Sequence, residues 1–549
     1  MAWYLLLISA VICTVFGVPQ GIGNNYKTIE LEDRDFWRSS ASARLAEVLK
    51  RQSNNKVAKN VIVFIGDGMG MTTITAGRIY QGQLRQRGGE GNSLSFDKFP
   101  VTGLAKTYNV NTQVPDSAST ATAIFSGVKT KHYVLGLDAT AAFDNCIPEM
   151  NKQAAVTNVM NWAQDAGKDT GIVTTTRITH ATPAATYSHI NNRNWECDSL
   201  IPSSDVGCVK DIARQLVEDA PGKNFKVILG GGRNQLGDAK VVSDYCVRND
   251  NRNLVSEWKN AKVNARYVTT ANELSAVDVK KTDYLLGLFS PGHISYAAEK
   301  DPIRPSLKLM TEAAIRMLQK NGKGFVLMVE GGRIDHGHHN NTPGLALSEL
   351  VDLDEAVEAA VNLTSPDDTL IIVTADHSHA MSFNGYPNRG NDILGLAHNE
   401  SNAFYETLSY ANGPGFADHH LVNKQENCIG VCTENEKESA NSWKDIRKNH
   451  TGSNNPFYRH LAAVYLVEET HGGEDVPIYA SGPMSHLLSG VHEQNYIASV
   501  ISYASCIGPE AKRCGGNRVS SSSSSSSTSS INNSLLISIL SFTAFYLNL

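Results

Sequence analysis

The stretch Lys59-Asn-Val-Ile-Val-Phe-Ile-Gly-Asp-Gly-Met-Gly70 decides how the chain is read. Its apolar run does not alternate, which is the pattern of a strand buried on both faces. Gly66, Gly68 and Gly70 form a turn around Asp67, and a helical stretch follows from Thr72. Strand, polar loop, helix is the repeating unit of a doubly wound α/β sheet.

The unit recurs along the chain. Gly171 to Thr176 precedes Arg177-Ile-Thr-His180, and Lys226 to Leu229 precedes Gly230-Gly-Gly-Arg233. Tyr284 to Phe289 precedes Ser290-Pro-Gly292, Phe325 to Val329 precedes Glu330, and Leu370 to Thr374 precedes Ala375-Asp-His-Ser-His379. Helical patterns fall between them at Pro305 to Lys320 and Leu345 to Val361, and residues 30 to 52 read as a charged amphipathic helix. The fold class is therefore α/β, with a large, mostly parallel central sheet between helices. From about Phe383 to Val464 the alternation breaks down, which reads as an inserted cap over the sheet edge. A last strand and helix follow Gly472-Gly-Glu-Asp-Val476.

Ligands of such sheets bind outside the carboxyl ends of the strands. The residues there are acidic and basic. Val329-Glu-Gly-Gly-Arg-Ile-Asp-His-Gly-His-His-Asn340 packs two carboxylates and three imidazoles into one turn. Carboxylate oxygen and imidazole nitrogen are the ligand types of Zn²⁺ and Mg²⁺. By itself the stretch is equally a polar surface loop. Asp67, Asp376 and His377 follow other strand ends, so one shared site can collect them all. Ser117, in Val114-Pro-Asp-Ser-Ala-Ser-Thr-Ala-Thr-Ala123, stands where a helix begins, as either a plain N-cap or an anion-facing group. Arg193 could hold an oxyanion in a bidentate fork. Together these groups outnumber the ligands of one metal and fit metal-assisted phosphoryl transfer.

Composition narrows the setting. The 549 residues are 41% hydrophobic and 19% charged, with a net charge of −6 and no long basic run, so the chain is globular and nucleic acid is not its main partner. Trp3 to Val18 is apolar and uncharged, and residues 1–18 read as a secretory signal peptide, although without the usual leading Lys or Arg. The body would span 19–520. Residues 521–549 continue a Ser/Thr tract that runs from Ser520 to Ser530 and end in the apolar tail Leu535–Leu549. Small residues, a polar spacer and a hydrophobic tail form a glycosylphosphatidylinositol (GPI) signal. The alternative is a short transmembrane anchor, for which the tail falls below the roughly 20 residues of a span. The attachment residue would be a Ser between about Ser520 and Ser527. The protein would then sit on the outer face of the cell membrane. Without Cys13, eight cysteines remain, an even number that suits disulfides in that compartment and leaves the pairing open. Cys428 and Cys432 read as a local bridge. Asn340, Asn362, Asn399 and Asn449 are glycosylation sequons, and a glycan on Asn340 would obstruct the His cluster.

In order, the chain carries IGDGMG, PDSASTATA, THATPAATYSH, NRNW, VEGGRIDHGHH, TADHSH and ETHGGED. Over residues 33 to 506 it resembles the alkaline phosphatases, specifically the membrane-anchored animal type. That resemblance implies a large sheet with a small crown domain (here 383–464), and a homodimer that hydrolyses phosphate monoesters with two zinc ions and one magnesium. It implies that Ser117 is the nucleophile that becomes phosphoserine. Asp67, Asp376 and His377 would hold the zinc that activates Ser117. Asp335, His339 and His471 (rather than His486 or His492) would hold the other. Asp67 also bridges to magnesium, whose further ligands resemble Thr182 and Glu330. Arg193 would grip phosphate, steadied by Asp116, while His180 and His336 stand one shell out. Cys146–Cys208 and Cys506–Cys514 carry over as disulfides, leaving Cys197–Cys246 and Cys428–Cys432 by elimination. One departure stands out: Leu288-Phe-Ser-Pro-Gly292 has Ser290 where animal members carry a Glu, which puts a Ca²⁺ site in doubt. A sulfatase or phosphodiesterase on the same sheet would place Thr or Cys at position 117 and lack the magnesium ligands. A non-catalytic surface receptor would have lost ligands, and all nine proposed positions are filled.

A phosphatidylinositol-specific phospholipase is expected to release the protein from intact membranes into the supernatant. Continued sedimentation with the membranes after treatment would reject the lipid anchor.

Overall fold

The computed structural model describes residues 32–239, 246–398, 404–420, 444–448 and 450–516. The leader, the Ser/Thr tract and its tail, Cys428, Cys432 and the sequons Asn399 and Asn449 lie outside the described residues.

Among the described residues seventeen strands follow in chain order. The first eight are β1 Asn60–Gly66, β2 Val101–Lys106, β3 Asp169–Arg177, β4 Val227–Gly231, β5 Ala265–Val268, β6 Tyr284–Leu288, β7 Phe325–Gly331 and β8 Thr369–Ala375. The short strands β9 Ser378–His379, β10 Met381–Phe383, β11 Leu396–His398, β12 Phe404–Glu406, β13 Leu408–Gly413, β14 Ala462–Tyr465 and β15 His471–Gly472 come next, then β16 Val476–Ser481 and β17 Gly490–Glu493.

Ten of them form one sheet in the order β17-β2-β16-β8-β1-β7-β3-β4-β6-β5. Every pairing is parallel except those of β16, which runs antiparallel to both β2 and β8. The central strands β1, β7 and β8 are buried along their whole length, as their unbroken apolar runs require. The helices Met71–Leu84, Leu307–Leu318 and Pro343–Leu363 pack together on one side. The helices Ser117–Ser126, Val159–Asp165 and Tyr496–Ser505 pack together on the other.

Register fixes what the strand ends present. Ile65 of β1 stands opposite Glu330 of β7, and Gly66 stands opposite Ala375 of β8. Asp67 and Asp376, one residue beyond their strands, therefore emerge side by side. Glu330 also faces Thr174 of β3.

Beyond the large sheet, β10, β13 and β14 form a three-stranded sheet and β11 pairs with β12. These strands occupy the stretch where the alternation in the sequence breaks down. Their apolar core (Met381, Ile393, Leu394, Leu408, Tyr410, Ala462) closes against Ala76, Ile79 and Leu347 of the main body. The two-residue ladder of β9 and β15 sets His379 opposite His471. Disulfides join Cys146 to Cys208, Cys197 to Cys246 and Cys506 to Cys514.

Three differences from the sequence reading have physical causes. Strands β2, β5 and β17 were not anticipated, because they are short, half-exposed and mixed in polarity. The helix expected within 30–52 forms at Arg34–Val48 but buries no residue. Its apolar side chains, Phe36 at 41% and Trp37 at 55% exposure, stand clear of the domain. Glu330 lies inside β7 rather than after it, because the strand runs on to Gly331.

Phe64, fully buried in the central strand, is expected to lose about 3–5 kcal/mol on truncation to Ala, from the removed contacts and the cavity left behind. Denaturant midpoints of wild type and Phe64→Ala measure this, and a loss under about 1 kcal/mol would contradict the packing described.

Candidate metal centre

The helix Ser117–Ser126 is all buried, and its first seven residues are Ser, Ala and Thr, small enough to seat closely against their neighbours. Its cap is Asp116, whose carboxylate accepts from the Ala118 and Ser119 amides. Ser117 is therefore the first helical residue, and its hydroxyl is free of capping. It points into the site, 3.2 Å from His377 Nε2 and 3.4 Å from Asp67 Oδ1.

Three histidines have one nitrogen committed to a main-chain oxygen. His339 Nδ1 donates to the Glu469 carbonyl at 2.5 Å, His471 Nδ1 to the Pro115 carbonyl at 2.8 Å, and His377 Nδ1 to the Ser378 carbonyl at 3.2 Å. A neutral imidazole whose Nδ1 donates carries its lone pair on Nε2. This carbonyl bond is the usual orienting partner of a metal-binding His.

The inward nitrogens stand where lone pairs should repel. His339 Nε2 and His471 Nε2 are 3.2 Å apart, and each is 3.3 Å from Asp335 Oδ1. Donors at about 2.0–2.1 Å from a tetrahedral ion have edges of about 3.3 Å, so this triangle is one face of such a tetrahedron. A second set lies alongside. His377 Nε2 is 3.5 Å from Asp67 Oδ1 and 3.2 Å from Asp376 Oδ2, and Ser117 Oγ supplies a fourth corner. The rings of His377 and His471 stack at 3.6 Å, so the two sets are adjacent.

The third set is marked by oxygens without partners. Asp67 Oδ2, Thr182 Oγ1 and Glu330 Oε1 are buried and make no hydrogen bond. The other Glu330 oxygen is held by the Thr174 and Thr176 hydroxyls. An all-oxygen set suits a hard cation such as Mg²⁺. His180 can join it, for its nearest donor atom groups with those of Asp67 and Glu330 within 4.8 Å. His180 also meets Arg193, with Nε2 3.0 Å from Nη2, while Arg193 Nη1 donates to Asp116 Oδ2 at 3.2 Å. His180, Arg193 and Asp116 border a cleft of about 440 Å³ that Ser117, Asp335, His336 and Arg333 also line.

The electrostatics demand a counter-charge. Burial raises Asp67 well above the ordinary carboxylate range, and Asp376, Asp335 and Glu330 push it further. Burial also raises Asp376 and pushes Glu330 up to about 7. Asp335 goes the other way: burial is outweighed by His339 and its neighbours, which hold it well down.

Several residues of the site went unnoticed in the sequence. His379 donates from both ring nitrogens, to Asp335 Oδ1 at 2.8 Å and Glu469 Oε2 at 2.6 Å. Burial works against its charge, but Glu469 and Asp335 prevail and raise it to about 10. The signal was present, since His379 closes TADHSH, but its facing depends on the ladder with His471. His293 lies against His336 with ring centroids 4.4 Å apart, and no motif marked it. His336 stands outside the triangle that Asp335 and His339 form with His471. His338, within the quoted cluster, is a satisfied core residue bonded to Thr73 and Tyr410. His486 and His492 lie elsewhere, with His492 stacked on Tyr496. The Ser290 carbonyl accepts from the Gly232 and Arg233 amides.

A doubly wound sheet bearing adjacent carboxylate-and-imidazole clusters, a helix-terminal Ser and a fixed Arg defines a metal-dependent hydrolase. Its family is recognisable across most of the chain: a model described as "Alkaline phosphatase" matches residues 58–507. The chain is 52% identical to alkaline phosphatase 4 of Drosophila melanogaster over 512 residues, covering 88% of this chain and 83% of that one. It is 45% identical to the tissue-nonspecific isozyme of Gallus gallus over 533 residues, covering 94% and 96%. The fold is also that of the Thermus thermophilus alkaline phosphatase, at a TM-score of 0.57 and 23% identity, covering 83% and 93%. The chain belongs to the alkaline phosphatase family, and phosphate monoester hydrolysis is its activity.

With the ions removed, a carboxyl such as Glu330, ordinarily at 4.5 and here about 7, keeps its proton in the folded state alone. Its contribution is present below about 4.5 and lost as pH rises through about 7, on the order of 3 kcal/mol from 1.36 kcal/mol per unit. Chelated protein is expected to lose thermal stability from pH 5 to 8, and metal-loaded protein is not. Parallel melting curves across that range with and without chelator would refute this.

Proposed function

We propose that the cleft hydrolyses phosphate monoesters through a phosphoserine intermediate on Ser117, with two zinc ions and one magnesium ion bound. The observation that carries this reading is the 3.2 Å gap between two committed imidazoles, His339 and His471, beside Asp335. Asp335, His339 and His471 would hold one zinc. Asp67, Asp376, His377 and Ser117 would hold the other, and Asp67, Thr182 and Glu330 the magnesium. When bound, the ions supply Lewis-acid charge that lowers the pKa of the attacking hydroxyl and of water.

The Ser117 hydroxyl attacks phosphorus and the alcohol leaves. Water then attacks the same phosphorus and Ser117 is released, so two displacements retain configuration. Arg193 receives two phosphate oxygens in its fork, held in place by Asp116 and His180. His379 donates to the same Asp335 oxygen that faces His339 and His471, and Glu469 fixes that imidazole in turn.

The remaining features extend the same reading. The mature enzyme spans about 19–520, with 383–464 as a crown over the sheet edge, and Ser290 lacks the carboxylate of a calcium site. It is exported by residues 1–18, glycosylated, and attached to the outer cell surface by GPI after loss of the tail. No helix among the described residues is long and apolar enough to cross a membrane. A homodimer is supported by the helix Arg34–Val48, whose exposed Trp37, Leu45 and Val48 share one face and offer a stripe for a second copy.

Ser117→Ala is expected to lower turnover of a chromogenic phosphomonoester at alkaline pH by at least about 1000-fold, as removal of an activated nucleophile does. Turnover near wild type would exclude the phosphoserine route. Glu330→Gln is expected to weaken the magnesium dependence of the rate while leaving zinc content near wild type. A fall in zinc with unchanged magnesium dependence would overturn the division of ligands.

A further inference from the structure

The small-sheet region carries a second constellation of buried imidazole and carboxylate, away from the cleft. Glu406 ends β12, His419 ends the helix Gly415–His419, and His450 follows the short helical turn Ile446–Lys448. Tyr458 stands beside them. We propose that Glu406, His419 and His450 form a further divalent-cation site, with Tyr458 or water as the fourth ligand and Zn²⁺ as the ion that this nitrogen-and-oxygen set would take.

Three observations converge on it. First, His419 Nδ1 donates to the Gly415 carbonyl at 2.7 Å, so a neutral ring turns its Nε2 lone pair inward. That nitrogen is 3.3 Å from Glu406 Oε1, an atom with lone pairs of its own. A carbonyl behind and a carboxylate in front is the orientation of a metal-binding His. Second, the other Glu406 oxygen accepts from the Leu461 amide at 2.6 Å, so Oε1 is the oxygen turned toward His419 and His450. Third, His450 Nε2 is 3.8 Å from the same Oε1 and makes no hydrogen bond, although only 7% of the side chain is exposed. A buried ring nitrogen without a partner is uncommon, and it is aimed at the carboxylate.

The third imidazole is excluded by its own bond. His460 Nδ1 donates to the Leu408 carbonyl at 2.8 Å, and this same nitrogen is the one near Glu406. Tyr458 places its hydroxyl 3.3 Å from His419 Nε2, within reach of the open corner. The groups whose donor atoms already lie within 4.8 Å of one another are all in the catalytic cleft among the described residues. Loading the crown site therefore draws the His450 ring inward. An ion there would tie β12, the helix at His419 and the segment at His450 together, and none of these is joined to another by a disulfide among the described residues.

The alternative is a charged His419 paired with Glu406 and no ion. Crystals of the full-length enzyme grown with zinc, with data on both sides of the zinc absorption edge, distinguish the two. An anomalous peak between Glu406, His419 and His450, additional to those in the cleft, is expected. Peaks in the cleft alone would overturn the proposal. In solution, His450→Gln and Glu406→Gln are expected to carry one zinc fewer per subunit after dialysis, with phosphomonoester turnover within about twofold of wild type. Equal zinc content in folded variants would also overturn it.

Discussion

Four carboxylates buried in one cleft cannot all be ionised without a compensating charge, and the rest of the structure depends on that constraint. The parallel register of β8, β1 and β7 forces it. Gly66 stands opposite Ala375 and Ile65 opposite Glu330, so the acidic residues at three neighbouring strand ends must share one volume. A sheet buried on both faces can carry such groups only at its carboxyl ends, where helix termini and loops meet them. Cations bound there would relieve the crowding and supply the metal that this family's chemistry depends on, which would tie stability and activity to the same residues.

The supporting framework is mostly main chain. The three imidazoles facing the cleft are each oriented by a backbone carbonyl, from Glu469, Pro115 and Ser378. Asp116 does three tasks with one carboxylate: it caps the helix, accepts from the Tyr133 amide, and anchors Arg193. Because Asp116 takes the capping role, Ser117 is left with a free hydroxyl at the positive end of the helix.

The central strands were legible in the sequence because burial on both faces writes a continuous apolar run, as in Val61 to Ile65. The edge strands β2, β5 and β17 were not, since a half-exposed strand of four to six residues leaves no such trace. The ligand-type residues were visible as motifs at strand ends. Their grouping was not, because spacing along the chain does not fix which side chains meet. His379 shows the limit: its motif was plain, but its bonds to Asp335 and Glu469 depend on a two-residue ladder with a segment far along the chain. The exposed helix Arg34–Val48 shows the converse, where an amphipathic pattern was readable but no described residue covers it.

Strand order has a consequence for biosynthesis. β16 is among the last strands to be made, yet it sits inside the sheet, between β2 and β8. His471, the third corner of the His339 triangle, comes just before it, and its bond to Pro115 spans 356 positions. A growing chain therefore holds an open sheet and an unfinished triangle until nearly the whole domain has left the ribosome. A chain cut short before His471 would lack both the strand and the imidazole that faces His339.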